Sequence, residues 1–136
     1  MGQISKKPDV HHQRVAAIVV AAGSSKRMRG VDKVFVEIAQ RPLLAYSVQV
    51  LEDAPEIDEI VLVVNSRSIE QARDLSIRQE WRKVREIIVG GERRQDSVRK
   101  GLEILDYVNW VVVHDGARPR LSRHMLLRGF EAARET

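Results

Sequence analysis

The run Val15-Ala16-Ala17-Ile18-Val19-Val20 is apolar at every position, and it constrains the fold more than any other stretch. A strand with one wet face alternates, whereas an uninterrupted β-branched run is expected where helices cover both faces of a parallel sheet. The run ends in Ala21, Ala22 and Gly23, whose small side chains let a ligand approach the backbone closely. The cations Lys26, Arg27, Arg29 and Lys33 follow. Exposed N–H groups beside fixed positive charge suit a polyphosphate. The stretch is neither a Walker A loop nor a G-x-G-x-x-G fingerprint. A basic, solvated strand-to-helix turn accounts for the same residues.

Val34 to Ile38 reads as a short extended segment closed by a turn at Ala39 to Arg41. Pro42 sits where a helix begins, and Leu43, Leu44, Val48, Val50 and Leu51 give that helix an apolar stripe ending at Pro55. Glu59 to Val64 is a second buried strand, followed by a polar helix from Ser68 to Ile77 or as far as Trp81. Val84 to Val89 is a third strand, ending at Gly90-Gly91. Val98, Leu102 and Leu105 mark a helix from Gln95 or Asp96 to Asp106, and Asn109 to His114 is a fourth strand. Ser122 is placed to cap a last helix with Met125, Leu126 and Phe130 on its inner face. Four alternations of strand and helix predict an α/β, Rossmann-like domain, its mostly parallel sheet covered by helices on both faces. Strands one and four are expected side by side at the topological switch point, where ligands bind beyond the strands' carboxyl ends.

The 136 residues suffice for one domain with a real core, residues 15–136, after a polar tail at 1–14. Hydrophobic residues at 43% and charged residues at 31% fit a soluble globular chain. Aromatics at 4% leave little for stacking single-stranded nucleic acid. The net charge of +4 suits an anionic ligand, but 19 acidic residues among 23 basic ones do not make a nucleic-acid surface, and no nucleic-acid partner is expected. The absence of cysteine removes disulfides, thiolate nucleophiles and thiolate-bound metals. The tail lacks a secretory apolar region, its near-match to a myristoylation site fails at Lys6, and Val15 to Ala22 is too short to span a bilayer. A cytoplasmic chain without a membrane partner is expected. His11 and His12 read as solvated.

Two further strand ends carry candidate chemistry. In Gly90-Gly91-Glu92-Arg93-Arg94-Gln95-Asp96-Ser97-Val98 the glycines permit close approach and Ser97 brings a hydroxyl to a helix start. Asp96 and Ser97 serve equally well as helix caps. In His114-Asp115-Gly116-Ala117-Arg118-Pro119 the Asp115 carboxylate can hold Mg²⁺ that arrives on a triphosphate. An Asp115–Arg118 pair that only shapes the loop is the alternative. His114 receives no catalytic role.

The first motif resembles the signature of nucleotidyltransferases that join a nucleoside triphosphate to a phosphorylated small molecule. Taken in order, A-A-G-S-S-K-R-M, D-K-V-F, G-G-E-R-R-Q-D-S-V and V-H-D-G-A-R-P resemble the 2-C-methyl-D-erythritol 4-phosphate cytidylyltransferase family, from Val15 onward. The resemblance implies transfer of CMP from CTP to a sugar-alcohol phosphate, with pyrophosphate released. Carried over by residue, it makes Arg27 and Lys33 the cations that stabilise the transition state. It puts Ala21, Ala22, Gly23, Gly91, Glu92, Ser97, Gly116 and Arg118 around the nucleotide, with the residues near Gly91 and Ser97 reading cytosine. Asp115 becomes the Mg²⁺ ligand.

The chain departs from that pattern in places. Asp32-Lys33 stands where the family usually has Pro-Lys, and is closer to the molybdenum-cofactor nucleotidyltransferases. Glu92 stands where Asp is often found. The resemblance also implies sequence beyond Thr136, carrying the substrate-phosphate pocket, a further catalytic Lys and the arm of a homodimer. On that expectation strand four is left as a sheet edge. Ribitol-5-phosphate cytidylyltransferases share the same motifs, and a non-catalytic nucleotide-binding module is the reading from another class.

Overall fold

The computed structural model describes residues 13–23, 27–28, 31–106 and 108–117. In chain order the elements are β1 (Val15–Ala21), β2 (Arg27–Met28), β3 (Val31–Asp32), β4 (Glu37–Ile38), β5 (Arg41–Pro42), α1 (Leu43–Asp53), β6 (Glu59–Val64), α2 (Ile69–Arg78), β7 (Val84–Val89), α3 (Arg94–Glu103) and β8 (Trp110–Asp115). Short 3₁₀ turns occupy Lys33–Phe35 and Ser66–Ser68. The helix expected after Ser122 lies outside the described residues.

Strands β7, β6, β1 and β8 form one parallel sheet in that order. The chain builds outward from β1 through β6 to β7, then returns to place β8 on the other side of β1. The expected switch point between strands one and four is therefore present, at β1 and β8. Among the described residues β8 pairs with β1 alone.

Every residue of β1 and β6 is buried, and the pleat divides their side chains between two cores. Val15, Ala17, Val19 and Ala21, with Ile60, Leu62 and Val64, face a layer containing Leu44, Val48 and Leu51 of α1 and Ala72 and Leu75 of α2. Ile18, Val20, Val61 and Val63 face the opposite layer, where Val98 of α3, Ile104 and Leu105 pack. Period-2 geometry thus turns an unbroken apolar run into two separate contact surfaces. Burial of this kind stabilises by about 25 cal/mol per Å² of apolar surface, and it is concentrated on the two central strands.

The stripe expected on α3 is corrected by one detail. Leu102 is 46% exposed, while Gly101 is buried with its open side only 3.0 Å from Ile18. The helix approaches the sheet closely through its glycine, which rotates Leu102 outward. Arg14, the last residue of the expected tail, is already tied in. Its amide donates to Asn109 Oδ1 at 2.8 Å, and its guanidinium pairs with Glu59 at 2.9 Å. Arg85 reaches the same carboxylate from β7 at 2.9 Å, and that hydrogen bond raises the Arg85 pKa.

Candidate nucleotide site at the β1–β8 switch point

Strand register brings the three sequence motifs to one edge. Val20 pairs with Asp115, Ala21 with Val64, and Val64 with Val89, so β1, β8 and β7 end level with one another. A cleft of about 190 Å³ opens there, lined by Val20 to Gly23, Asp32 to Val34, Glu92, Arg94, Asp115 and Ala117. Ala21, Ala22, Gly23, Lys33, Glu92 and Asp115 from the sequence reading therefore share one cavity.

Gly91, Ser97 and Gly116 stand behind that surface as supports. Ser97 is fully buried, and its Oγ accepts the Gly91 N–H at 3.1 Å. A side chain on Gly90 would come within 2.5 Å of Ser97 Oγ and 2.6 Å of Ala22 Cβ. The loop after β7 thus lies directly on the loop after β1, and glycine is required by protein packing as well as by ligand approach. Gly116 donates its N–H to Val20 O at 2.9 Å and accepts from Ser47 Oγ at 3.1 Å. Its open side faces Leu44 and Ala21.

Asp96 turns out to be a cap. Its carboxylate accepts the Arg93 N–H at 3.3 Å and Arg93 Nε at 3.4 Å. Partial burial pushes its pKa up, but the hydrogen bonds from Arg93 and the charges of Arg93 and Arg99 outweigh this and hold it below the ordinary value. Arg93 is thereby committed to the helix start, which leaves Arg94 as the arginine on the cleft.

Three contributors escaped the sequence reading. Arg94 was visible only as part of an Arg-Arg pair, with nothing to say which one faces inward. Ser47 sits in an apolar helix stripe, and its hydroxyl is used in a bond to Gly116 O. Asp32 was noted as a departure and given no role. It is 7% exposed, and its carboxylate accepts from Asn65 Nδ2 at 3.1 and 3.2 Å and from Ser68 Oγ. Arg27 enters through its backbone pairing with Asp32, and its side chain lies outside the described part. Lys26, Arg29 and Arg118 lie outside the described residues altogether.

Among the described residues no cluster of three potential ligands could hold a resident metal. Asp115 is a carboxylate that lines the cleft. No described helix is long and apolar enough to cross a membrane.

The chain is 43% identical over 123 residues to a 2-C-methyl-D-erythritol 4-phosphate cytidylyltransferase of Dehalococcoides mccartyi (strain CBDB1), covering 90% of this chain and 54% of that protein. It is 41% identical over 118 residues to the protein of that name from Clostridium tetani, covering 86% and 48%. The crystal structure of 4-diphosphocytidyl-2C-methyl-D-erythritol synthase from Anaerococcus prevotii superposes with a TM-score of 0.80 at 29% identity, covering 92% of this chain and 52% of that one. The chain spans about half the length of the curated relatives it matches. The profile of the IspD family, 2-C-methyl-D-erythritol 4-phosphate cytidylyltransferase, matches residues 15–136, and with its motifs gathered at the switch-point cleft the chain belongs to that family.

Proposed function

We propose that this chain forms the nucleotide site of a cytidylyltransferase that transfers CMP from CTP to 2-C-methyl-D-erythritol 4-phosphate. The observation carrying this reading is the shared cleft, in which the small residues at the end of β1 face Lys33, Arg94 and Asp115. The names of the relatives supply the substrate pair. In the reaction, a phosphate oxygen of the sugar-alcohol phosphate attacks the α-phosphorus of CTP. The α–β phosphoanhydride bond breaks and pyrophosphate leaves. The nucleophile is already anionic at neutral pH, so the protein needs no general base. Its task is alignment and charge neutralisation.

Lys33 and Arg27 are assigned to the charge that develops during transfer. Ala21 to Gly23, Gly91, Glu92, Ser97, Gly116 and Arg118 are assigned to the nucleotide, with Ser97 acting through the Gly91 amide that it holds. Asp115 would hold Mg²⁺ on the triphosphate oxygens, where the ion supplies electrostatic stabilisation of the phosphates. The test is calorimetric CTP binding with and without Mg²⁺, beside phosphorus NMR of pyrophosphate release with 2-C-methyl-D-erythritol 4-phosphate or ribitol 5-phosphate. Turnover with the first alone supports the reading. Turnover with ribitol 5-phosphate reassigns the acceptor, and CTP binding without turnover limits this chain to a binding module.

A further inference from the structure

We propose that Asp32 is a positioning residue, whose buried carboxylate fixes Lys33 and the Arg27 backbone relative to a bound triphosphate. The proposal rests on the nucleotidyl-transfer reading above. Asp32 is the last residue of β3, and it pairs antiparallel with Arg27 in the short β2–β3 ladder. Lys33 begins the 3₁₀ turn that follows. Among the described residues this ladder is a separate two-stranded unit, with no strand pairing to the main sheet. After Lys33 the chain is anchored by Val34 and Phe35, both buried in the main core, so the ladder side of Lys33 is the side that needs an attachment of its own.

The Asp32 carboxylate provides one. It accepts from Asn65 Nδ2 with both oxygens and from Ser68 Oγ. Asn65 directly follows β6, and the Ser68 N–H donates back to Asn65 O at 2.9 Å, closing the turn that presents both donors. The anchor point is thus rigidly joined to a fully buried central strand. Asp32 and Lys33 both line the cleft, so a shift in the clasp moves a cation within the site.

The backbone at position 32 shows what the clasp maintains. Asp32 has φ −56° and ψ 132°, inside the range that a proline ring imposes. Val31 lies in a strand, the extended conformation that a following proline demands. A proline at 32 would keep this backbone conformation but offer no acceptor to Asn65 or Ser68, so it separates the local backbone angle from the clasp.

The experiment measures affinity for CTP and for cytidine, which lacks phosphates, in wild type, Asp32→Ala, Ser68→Ala, Asp32→Pro, Lys33→Ala and the double variants. Asp32→Ala and Ser68→Ala should each weaken CTP binding about tenfold, the scale of one lost hydrogen bond to a charge. Cytidine affinity should hold within about twofold, because the displaced cation acts on phosphates. Asp32→Ala should add nothing in a Lys33→Ala background. Asp32→Pro keeps the backbone angle but lacks the clasp, so it should weaken CTP binding as Asp32→Ala does and make Ser68→Ala silent. Wild-type CTP affinity in Asp32→Pro would overturn the proposal. Equal losses for CTP and cytidine, or additive losses in the Lys33→Ala background, would overturn the proposal. If Asp32→Pro does not fold, the coupling of Ser68→Ala to Lys33→Ala decides. If wild type does not bind CTP, the functional reading has failed, and hydrogen exchange then tests the clasp alone. Asp32→Ala must speed exchange of the Val36 amide that bonds Lys33 O, and unchanged exchange refutes it.

Discussion

Ser97 Oγ accepts the Gly91 amide at 3.1 Å from a position with no solvent exposure. One hydroxyl therefore joins the first turn of α3, which begins at Arg94, to the loop that bears Glu92. Ser97→Ala should lower stability by about 1 kcal/mol by leaving that N–H unsatisfied. It should also weaken CTP binding, because the loop over the cleft loses its tether. Denaturant midpoints and calorimetry measure the two effects. A change in stability with unaltered binding would confine Ser97 to the fold.

Asp115 and Lys33 face the same cleft with opposite charges, and their losses should differ in metal dependence. Asp115→Asn should weaken CTP binding in Mg²⁺ far more than in chelator. Lys33→Ala should weaken it in both. In an active preparation, Lys33→Ala should lower kcat more than it raises KM for CTP. Equal loss for Asp115→Asn with and without Mg²⁺ would leave it no metal role.

The start of α3 should be acid-sensitive. Asp96 has its pKa lowered in the folded state, so its contribution to stability is complete above the ordinary aspartate value. That contribution is lost as pH falls through the depressed folded value. Wild type should therefore exceed Asp96→Asn in stability at neutral pH, and the gap should close as acid protonates Asp96. Thermal unfolding across an acid series checks the sign.

Glu59 is a buried carboxylate held by Arg14 and Arg85 from two different segments. Glu59→Gln should cost about 2 kcal/mol, the scale of lost hydrogen bonds to a charged group. It lies at the opposite end of β6 from the cleft, so CTP affinity should be unchanged. Chemical denaturation beside calorimetry tests both halves.

The turn joining β4 to β5 holds Ala39 at φ 54° and Gln40 at φ 69°. Two-residue hairpins with both centres left-handed favour Asn-Gly, and each ordinary residue there costs about 1 kcal/mol. Replacing Ala39 with Asn and Gln40 with Gly should raise stability by at least about 1 kcal/mol. No gain in the denaturation midpoint would mean that the surrounding contacts already offset the strain.

The strands were legible because their signal is local. β-branched residues concentrated in a short segment mark a strand, and Glu59–Val64 and Val84–Val89, the latter closed by Gly90-Gly91, are the strands expected from them. Their ends also carried the cleft, since Gly23 and Glu92 follow β1 and β7 and Asp115 closes β8. What stayed hidden was direction and partnership. Nothing in Arg93-Arg94 says that one guanidinium turns back to Asp96 while the other faces the cleft. Nothing near Leu102 says that Gly101 will take the sheet contact. Asp32 and Ser68 are 36 residues apart in sequence, and no periodicity links them. Chain order and residue type determined which segments are strands and which strand ends hold small or charged residues. Tertiary packing alone decided which polar side chains face the ligand and which satisfy buried backbone, because that choice depends on donors brought from distant segments into the same few ångströms.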